Sequence, residues 1–369
     1  MTPEDLRADI RAFDDGIYLN TGASSPAPER VIEATCDYLR FQEERAPLGD
    51  GAYGAAYDAY EETRDRLAPF LGVAPETIAL TESTADGISR VAGAIDWEAG
   101  DVVVRTDAEH PSGIVPWWNL ERLGVETRVV PTHEGRLDLE AYERHVEDAK
   151  LVCLSSLTWN YGTRLPVAEA VEIAHDAGAL VLVDAVQSVG QVPLDLTEWD
   201  ADFVAGAGHK WLMGPWGAGF VHVHPDAVAA LQPVGAGYRA VEDSKAPLDE
   251  MRLREDAGRI EYGGTSPAPY AGLQEALDLV DDIGMDTITG RIEELTDRLK
   301  AGLGDRLRSP REYESGLVSF TAADPDALVE RLRERNVFIR SLPYPNTVRA
   351  SLHVYNTPGD VDALLDALE

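Results

Sequence analysis

LVLVDAVQSVGQVPLDLTEWDADFVAGAGHKWLMGPWGAGFVHV, residues 180–223, is the stretch that decides the fold. Leu180, Val181, Leu182 and Val183 form a wholly apolar run, the pattern of a parallel strand buried on both faces. The run ends in Asp184, a carboxylate that is costly in such a place unless a cation meets it. Phe203, Val204 and Ala205 form a second short strand. Gly206, Ala207 and Gly208 then free the backbone, and His209 and Lys210 follow. Gly214, Gly217 and Gly219 lead into a third strand at residues 220–223. An acid and a lysine 26 residues apart therefore stand at neighbouring strand ends. Open α/β sheets bind their ligands at the carboxyl ends of the strands.

A cofactor with an aldehyde and a basic ring nitrogen needs this pair. The lysine condenses with the aldehyde, and the acid keeps the ring nitrogen protonated so that the ring draws off electrons. Pyridoxal 5′-phosphate (PLP) is such a cofactor. No Gly-Lys-Ser/Thr occurs here, which excludes a Walker A loop, and no G-x-G-x-x-G opens a helix after a first strand. The joined pattern D-A-V-Q-S, then G-A-G-H-K-W with glycines after it, resembles the class V aminotransferase family of PLP enzymes. That family includes cysteine desulfurases, cyst(e)ine lyases, isopenicillin N epimerase-like proteins and kynureninases. The resemblance implies an α/β, fold type I PLP-dependent transferase. It would have a large domain with a mainly parallel seven-stranded sheet between helices, over residues 19–278. A small α+β domain would join residues 1–18 to the C-terminal residues 279–369.

Composition narrows the rest. There are 66 acidic against 32 basic residues, a formal net charge of −34. Only Lys150, Lys210, Lys245 and Lys300 are lysines. An acid-rich, lysine-poor surface is what a cytoplasm at very high salt selects, because the screening length falls to about 3 Å at ~1 M. A halophilic source is expected, and Lys210 gains weight as a rare lysine. The negative field argues against nucleic acid, whose phosphates need clustered Lys and Arg. Two cysteines, Cys36 and Cys153, give no disulfide framework, and Cys153 sits in an apolar run as a core thiol. The N-terminus has no signal-peptide pattern and no apolar run approaches the ~18 residues of a membrane span. A cytoplasmic protein without membrane contact is expected. His222 and His224 alternate on a strand without a ligand set, so no metal site is expected.

Along the chain, residues 2–13 read as a helix capped by Thr2, with Pro3 at its first position. Residues 49–54 read as a glycine-rich break, and residues 88–94 as a helix after the strand at 78–80. The hydroxyls between that strand and helix suit an N-cap, and equally a phosphate cradle at a helix N-terminus. The resemblance puts the PLP phosphate there, on Ser83 and Thr84, with His209 beside it. It stacks His110 on the pyridine ring, with Val186 on the opposite face. It sets Asn160 and Gln187 at the phenolic oxygen, Asp184 at the ring nitrogen and Lys210 on the aldehyde. Lys210, His110 and Asp184 are then the catalytic set. The Asn20 loop would border a small amino acid substrate, and Arg349, opening an apolar strand, would fork onto its α-carboxylate. Thr265 would reach the phosphate of a second copy, which makes a homodimer. One departure stands out: the family often has a hydroxyl three positions before the lysine, and here that position is Ala207.

Desulfurases of the family carry a nucleophilic cysteine between the strand ending at Arg340 and the arginine at 349. Residues 341–348 here read SLPYPNTV, and no cysteine occurs from Lys210 onward. Persulfide formation on the enzyme is therefore not expected. The resemblance favours a C–S β-lyase acting on cysteine- or cystine-like substrates by removal of the Cα proton. An aminotransferase or epimerase, a desulfurase-like protein without the cysteine, and a non-catalytic PLP-fold binding protein are the alternatives.

Overall fold

The structure, a computed structural model, describes residues 1–49 and 51–368. Asp50 in the expected glycine-rich break, and Glu369 at the end of the expected small domain, lie outside the described residues. In chain order the strands are β1 (Ile17–Tyr18), β2 (Ile78–Thr81), β3 (Val102–Thr106), β4 (Glu126–Val130), β5 (Thr132–His133), β6 (Arg136–Leu137), β7 (Leu151–Ser155), β8 (Leu180–Asp184), β9 (Phe203–Ala207), β10 (Gly219–Val223), β11 (Leu317–Phe320), β12 (Val337–Phe338), β13 (Arg340–Leu342) and β14 (Thr347–Ser351).

Seven of these make the central sheet, in the order β2-β10-β9-β8-β7-β3-β4. β10 runs antiparallel to both neighbours, and the other adjacent pairs are parallel. This is the mainly parallel α/β architecture expected. The strands alternate between two cores, as a period of two requires. Val102, Val104, Val181 and Val183 face one; Val103, Leu182, Phe203 and Val221 face the other. With both faces covered, the strands read as near-continuous apolar runs rather than alternations.

A third core lies around the three-stranded sheet β11-β14-β13. Leu295, Leu299 and Leu303 pack there against Val318, Phe320, Val348 and Leu364. The same helix, Met285–Leu303, begins with Ile288 and Ile292 in the first core, so one helix spans both.

The N-terminal helix is shorter than expected. Thr2 and Asp5 do form the capping box, but the helix covers only Pro3–Ala8. The carbonyl of Asp9 accepts the Glu29 N–H at 2.8 Å, a tertiary bond in place of the next helical one, and Ile10 turns extended into the core. Leu6 and Ile10 thus join the first core, and β1 pairs with β12 beside the third. The helix expected from Ile88 starts earlier, at Thr84, because Ser83 accepts the Asp86 N–H at 3.1 Å and caps it. No helix among the described residues is long and apolar enough to cross a membrane.

Candidate active site

The carboxyl ends of β2, β3, β7, β8 and β9 open onto one cleft of about 260 Å³. Asp184 closes β8, between Ser155 of β7 and Ala205 of β9 in register. Lys210 lies three residues beyond the end of β9. Both are buried and both line the cleft. Asp184 Oδ1 accepts the Val186 N–H at 3.0 Å, and no ion pair joins it to Lys210 among the described residues. Burial raises the carboxyl pKa of Asp184, and the Lys210 charge opposes that. Burial pushes Lys210 down to about 8, against the pull of Asp184 and with the help of Arg349 and Arg340. The two groups thus stand apart, each desolvated and short of a full counter-charge.

The other walls come from the remaining strand ends. After β2, Ser83 caps the helix Thr84–Ala94, and Ser83, Thr84 and Ala85 line the cleft, so that the helix's positive dipole end lies at the cleft wall. Gly219 of β10 allows this approach, since a Cβ there would lie 2.8 Å from the Ser83 backbone. After β3, His110 Nδ1 accepts the Ser112 N–H at 3.2 Å, which leaves any ring proton on Nε2. Burial first, then the Lys210, Arg340 and Arg349 charges, push His110 down to about 4, so it is neutral at pH 7. The preceding Glu109 accepts from Thr106 Oγ1, Ser155 N and Ser155 Oγ, stapling the His110 loop to β7; burial raises it to about 7. After β7, Trp159 sets its ring edge-on to His110 at 5.3 Å. After β9, His209 stacks on Trp216 at 4.1 Å.

Of the residues singled out in the sequence, Ser83, Thr84, His110, Asp184, Val186, Gln187, His209, Lys210 and Arg349 line the cleft. Asn160 and Asn20 lie behind its wall, Asn160 fully buried next to Trp159 and Asn20 bridged to Ser351. Thr265 is elsewhere in the chain, in a groove with Tyr53, Tyr57, Tyr60 and Tyr238, where its carbonyl accepts the Tyr60 hydroxyl at 2.5 Å. Ala207 is buried on β9 and offers no hydroxyl.

Sequence reasoning missed Arg340 and Trp216. Arg340 was read only as a strand end, yet β13 and β14 are a hairpin in which it stands directly opposite Arg349. The nine-residue separation across a Pro-containing turn was the available signal. Like charges directly opposite on adjacent strands repel. Neither guanidinium has a carboxylate within salt-bridge reach among the described residues; Arg349 Nη1 donates to Trp159 O at 2.6 Å, and Arg340 lies over the Trp159 ring. Burial and the Arg340 charge push Arg349 down to about 9, still protonated at pH 7.

Buried polar atoms without partners cost free energy and are rare, so a cluster of them marks a place for something else. Thr84 Oγ1, His209 Nδ1, both side-chain atoms of Asn160, Asn20 Oδ1, and Arg349 Nε and Nη2 are all buried and unpartnered. Thr84, His209 and Arg349 line the cleft with Asp184 and Lys210, and the two asparagines lie behind its wall. The donor set therefore fits a group with a phosphate at one end, a ring nitrogen at the other and an aldehyde between, carrying an anionic substrate.

The sequence model of the aminotransferase class-V family matches residues 17–364, and the chain belongs to that family. It is 33% identical to a probable cysteine desulfurase of Methanothermobacter thermautotrophicus, covering 100% of this chain and 98% of that one. A cysteine desulfurase structure from Thermococcus onnurineus superposes with a TM-score of 0.91 at 30% identity, over 100% of this chain and 98% of that one. The cystine C–S lyase C-DES, solved with its product cysteine persulfide, gives 0.91 at 28% identity, over 97% and 98%. Another C-DES structure holds glycine covalently linked to its PLP cofactor. This chain is a PLP-dependent enzyme, and its cofactor is pyridoxal phosphate.

Proposed function

We propose that the enzyme is a C–S β-lyase whose preferred substrate is cystine or a similar sulfur amino acid with two carboxylates. The observation that carries this reading is the cross-strand pair Arg340 and Arg349, two guanidinium groups in one cleft with no carboxylate within salt-bridge reach of either among the described residues. Arg349 would take the α-carboxylate through its free Nε and Nη2, and Arg340 the distal one. The cysteines support the same reading. Cys36 is exposed on the helix Glu29–Glu44, and Cys153 is wholly buried in β7 with its thiol pKa raised by burial, so neither lines the cleft. The turn between β13 and β14 is a four-residue link, residues 343–346, without a cysteine.

Pyridoxal phosphate supplies an electron sink for the electrons left when the Cα–H bond breaks. Lys210 would hold its aldehyde, Asp184 its ring nitrogen, Asn160 and Gln187 its phenolic oxygen, and Ser83, Thr84 and His209 its phosphate. His110 and Val186 would cover opposite ring faces. Lys210 Nζ, set free when the substrate's amine replaces it on the aldehyde, would be the base that takes the α-proton. The Cβ–S bond then breaks, and the sulfur leaves as a persulfide. Overall, cystine and one water give pyruvate, ammonia and cysteine persulfide. The reading includes a homodimer in which Thr265 serves a neighbouring copy's cleft, supported by its absence from the lining of its own cleft and by the exposed Tyr53, Tyr57 and Tyr238 beside it.

The test incubates the holoenzyme at molar salt with cystine or cysteine and measures pyruvate, alanine and keto acid. Pyruvate should form from cystine with kcat/KM about 10-fold or more above cysteine, the worth of one charge-assisted contact. The Arg340→Gln variant should lose that preference. Alanine from cysteine, or amino transfer without pyruvate, sinks the proposal.

A further inference from the structure

Gln187 is a buried residue in the cleft wall, and its amide is held from two sides. Its Nε2 donates to the carbonyl of Gly22 at 3.0 Å. Its Oε1 accepts the indole Nε1–H of Trp211 at 2.9 Å. A buried amide has two nearly isosteric orientations, and its hydrogen-bond partners decide between them. Trp211 is a donor only, so the oxygen of Gln187 must face it. One N–H of Nε2 goes to Gly22, and one is left over.

Trp211 is itself locked. It is wholly buried, directly follows Lys210, and stacks on His353 at 5.6 Å and 22°. His353 accepts the Val354 N–H on Nδ1 and donates from Nε2 to the Trp211 carbonyl at 2.9 Å, so its tautomer is set. Burial pushes it down to about 4 and keeps it neutral. His353 also stacks on Tyr355, at 4.7 Å and 10°. The Tyr355 hydroxyl bonds Thr21 Oγ1 at 2.6 Å and Ser25 Oγ at 3.0 Å, on either side of Gly22. The circuit therefore closes: Trp211 and Gly22 grip the Gln187 amide, and His353 and Tyr355 hold Trp211 and the Gly22 loop in one stack.

We infer that Trp211 is a positioning residue whose indole N–H fixes the Gln187 amide with its remaining N–H toward the phenolic oxygen of pyridoxal phosphate. The inference rests on Gln187 being a phenolic-oxygen contact. Flipped, the amide would turn its carbonyl to an oxygen anion, and the contact would change from attraction to repulsion.

The test is a spectrophotometric pH titration of the visible band of the bound cofactor in the holoenzyme. A donor to the phenolate stabilises the anion and loosens the proton shared with the lysine nitrogen, so its loss raises the titration midpoint. Gln187→Leu should raise the midpoint. Trp211→Phe keeps the stack but deletes the N–H, and should raise it by about 0.4–1 pH units, the equivalent of one hydrogen bond. In the double variant the shift should be no larger than that of Gln187→Leu alone, because one contact has been lost twice. If Trp211→Phe does not fold, 3-benzothienylalanine at position 211 preserves the shape without the donor. A lower thermal midpoint with an unmoved titration overturns the inference, as do additive shifts. An unmoved titration in Gln187→Leu itself instead removes the contact on which the inference rests, and the inference with it.

Discussion

Glu261, 2% exposed, is closed on every side, whereas Arg349, 0% exposed, is left open. Glu261 Oε1 accepts from Arg64 at 2.5 Å and from the Leu80 N–H at 2.6 Å, and Oε2 meets Arg239 at 2.5 Å. Arg64 turns its Nε to the Ile78 carbonyl at 3.0 Å, and the Arg239 guanidinium lies over the Tyr60 ring at 3.8 Å. Arg349 spends one N–H on a carbonyl, leaves Nε and Nη2 unmet and faces a second arginine across the hairpin. The same chain can satisfy a buried charge completely, and in the cleft it does not. The free energy left unspent there is available to a ligand, which is the sense in which a functional site is a local defect in an otherwise closed structure.

Exchanging the fates of the two charges gives the largest effects. Glu261→Gln breaks a buried network and should cost roughly 3–5 kcal/mol of stability, read as a fall in the thermal midpoint at fixed salt. Arg349→Met removes a buried charge that has no salt-bridge partner among the described residues. Its midpoint should hold or rise, while kcat/KM falls about 10–100-fold for loss of charge-assisted contacts. If Arg349→Met unfolds as readily as Glu261→Gln, the contrast between the two regions is broken.

The charge on Lys210 sharpens the same contrast by pH. With its pKa pushed down to about 8, the amine is mostly charged at pH 7 and mostly neutral at pH 9. Only the neutral amine attacks the aldehyde. Covalent capture of pyridoxal phosphate by the cofactor-free protein should therefore speed up about tenfold between pH 7 and 9 and then level off. A rate still climbing steeply to pH 10.5 would mean that Lys210 is an ordinary solvated lysine.

The smallest effect belongs to the thiols. A Cys36→Ser, Cys153→Ala double variant should keep its cystine rate within about twofold, the scatter of substitutions away from the site. Loss of turnover would show that a protein thiol accepts sulfur, despite the burial of Cys153.

Most of the cleft was legible because Ser83, His110, Asp184 and Lys210 each stand at or just beyond the end of a strand of their own. Asp184 after an apolar run, Lys210 after Phe203-Val204-Ala205 and a glycine, and Ser83 before a helix are local patterns. Strand ends of a parallel sheet converge whatever the loops do. Arg340 was not legible in the same way. Each arginine sits in a short strand of its own, and only the pairing register sets one against the other. The N-terminal helix stopped early for a related reason: the bond from Glu29 to Asp9 is made across the fold, and no local propensity announces it.

By itself the sequence determined the family, the α/β alternation, an acid and a lysine at neighbouring strand ends, and the lack of a cysteine in the last third of the chain. These rest on residue identity and short-range spacing, which folding does not alter. The tertiary structure alone decided which charges go unpaired, which arginines face each other, and how Trp211 grips Gln187. Pairing and orientation depend on register and packing between segments far apart in the chain, and those distances exist only once the three cores have formed.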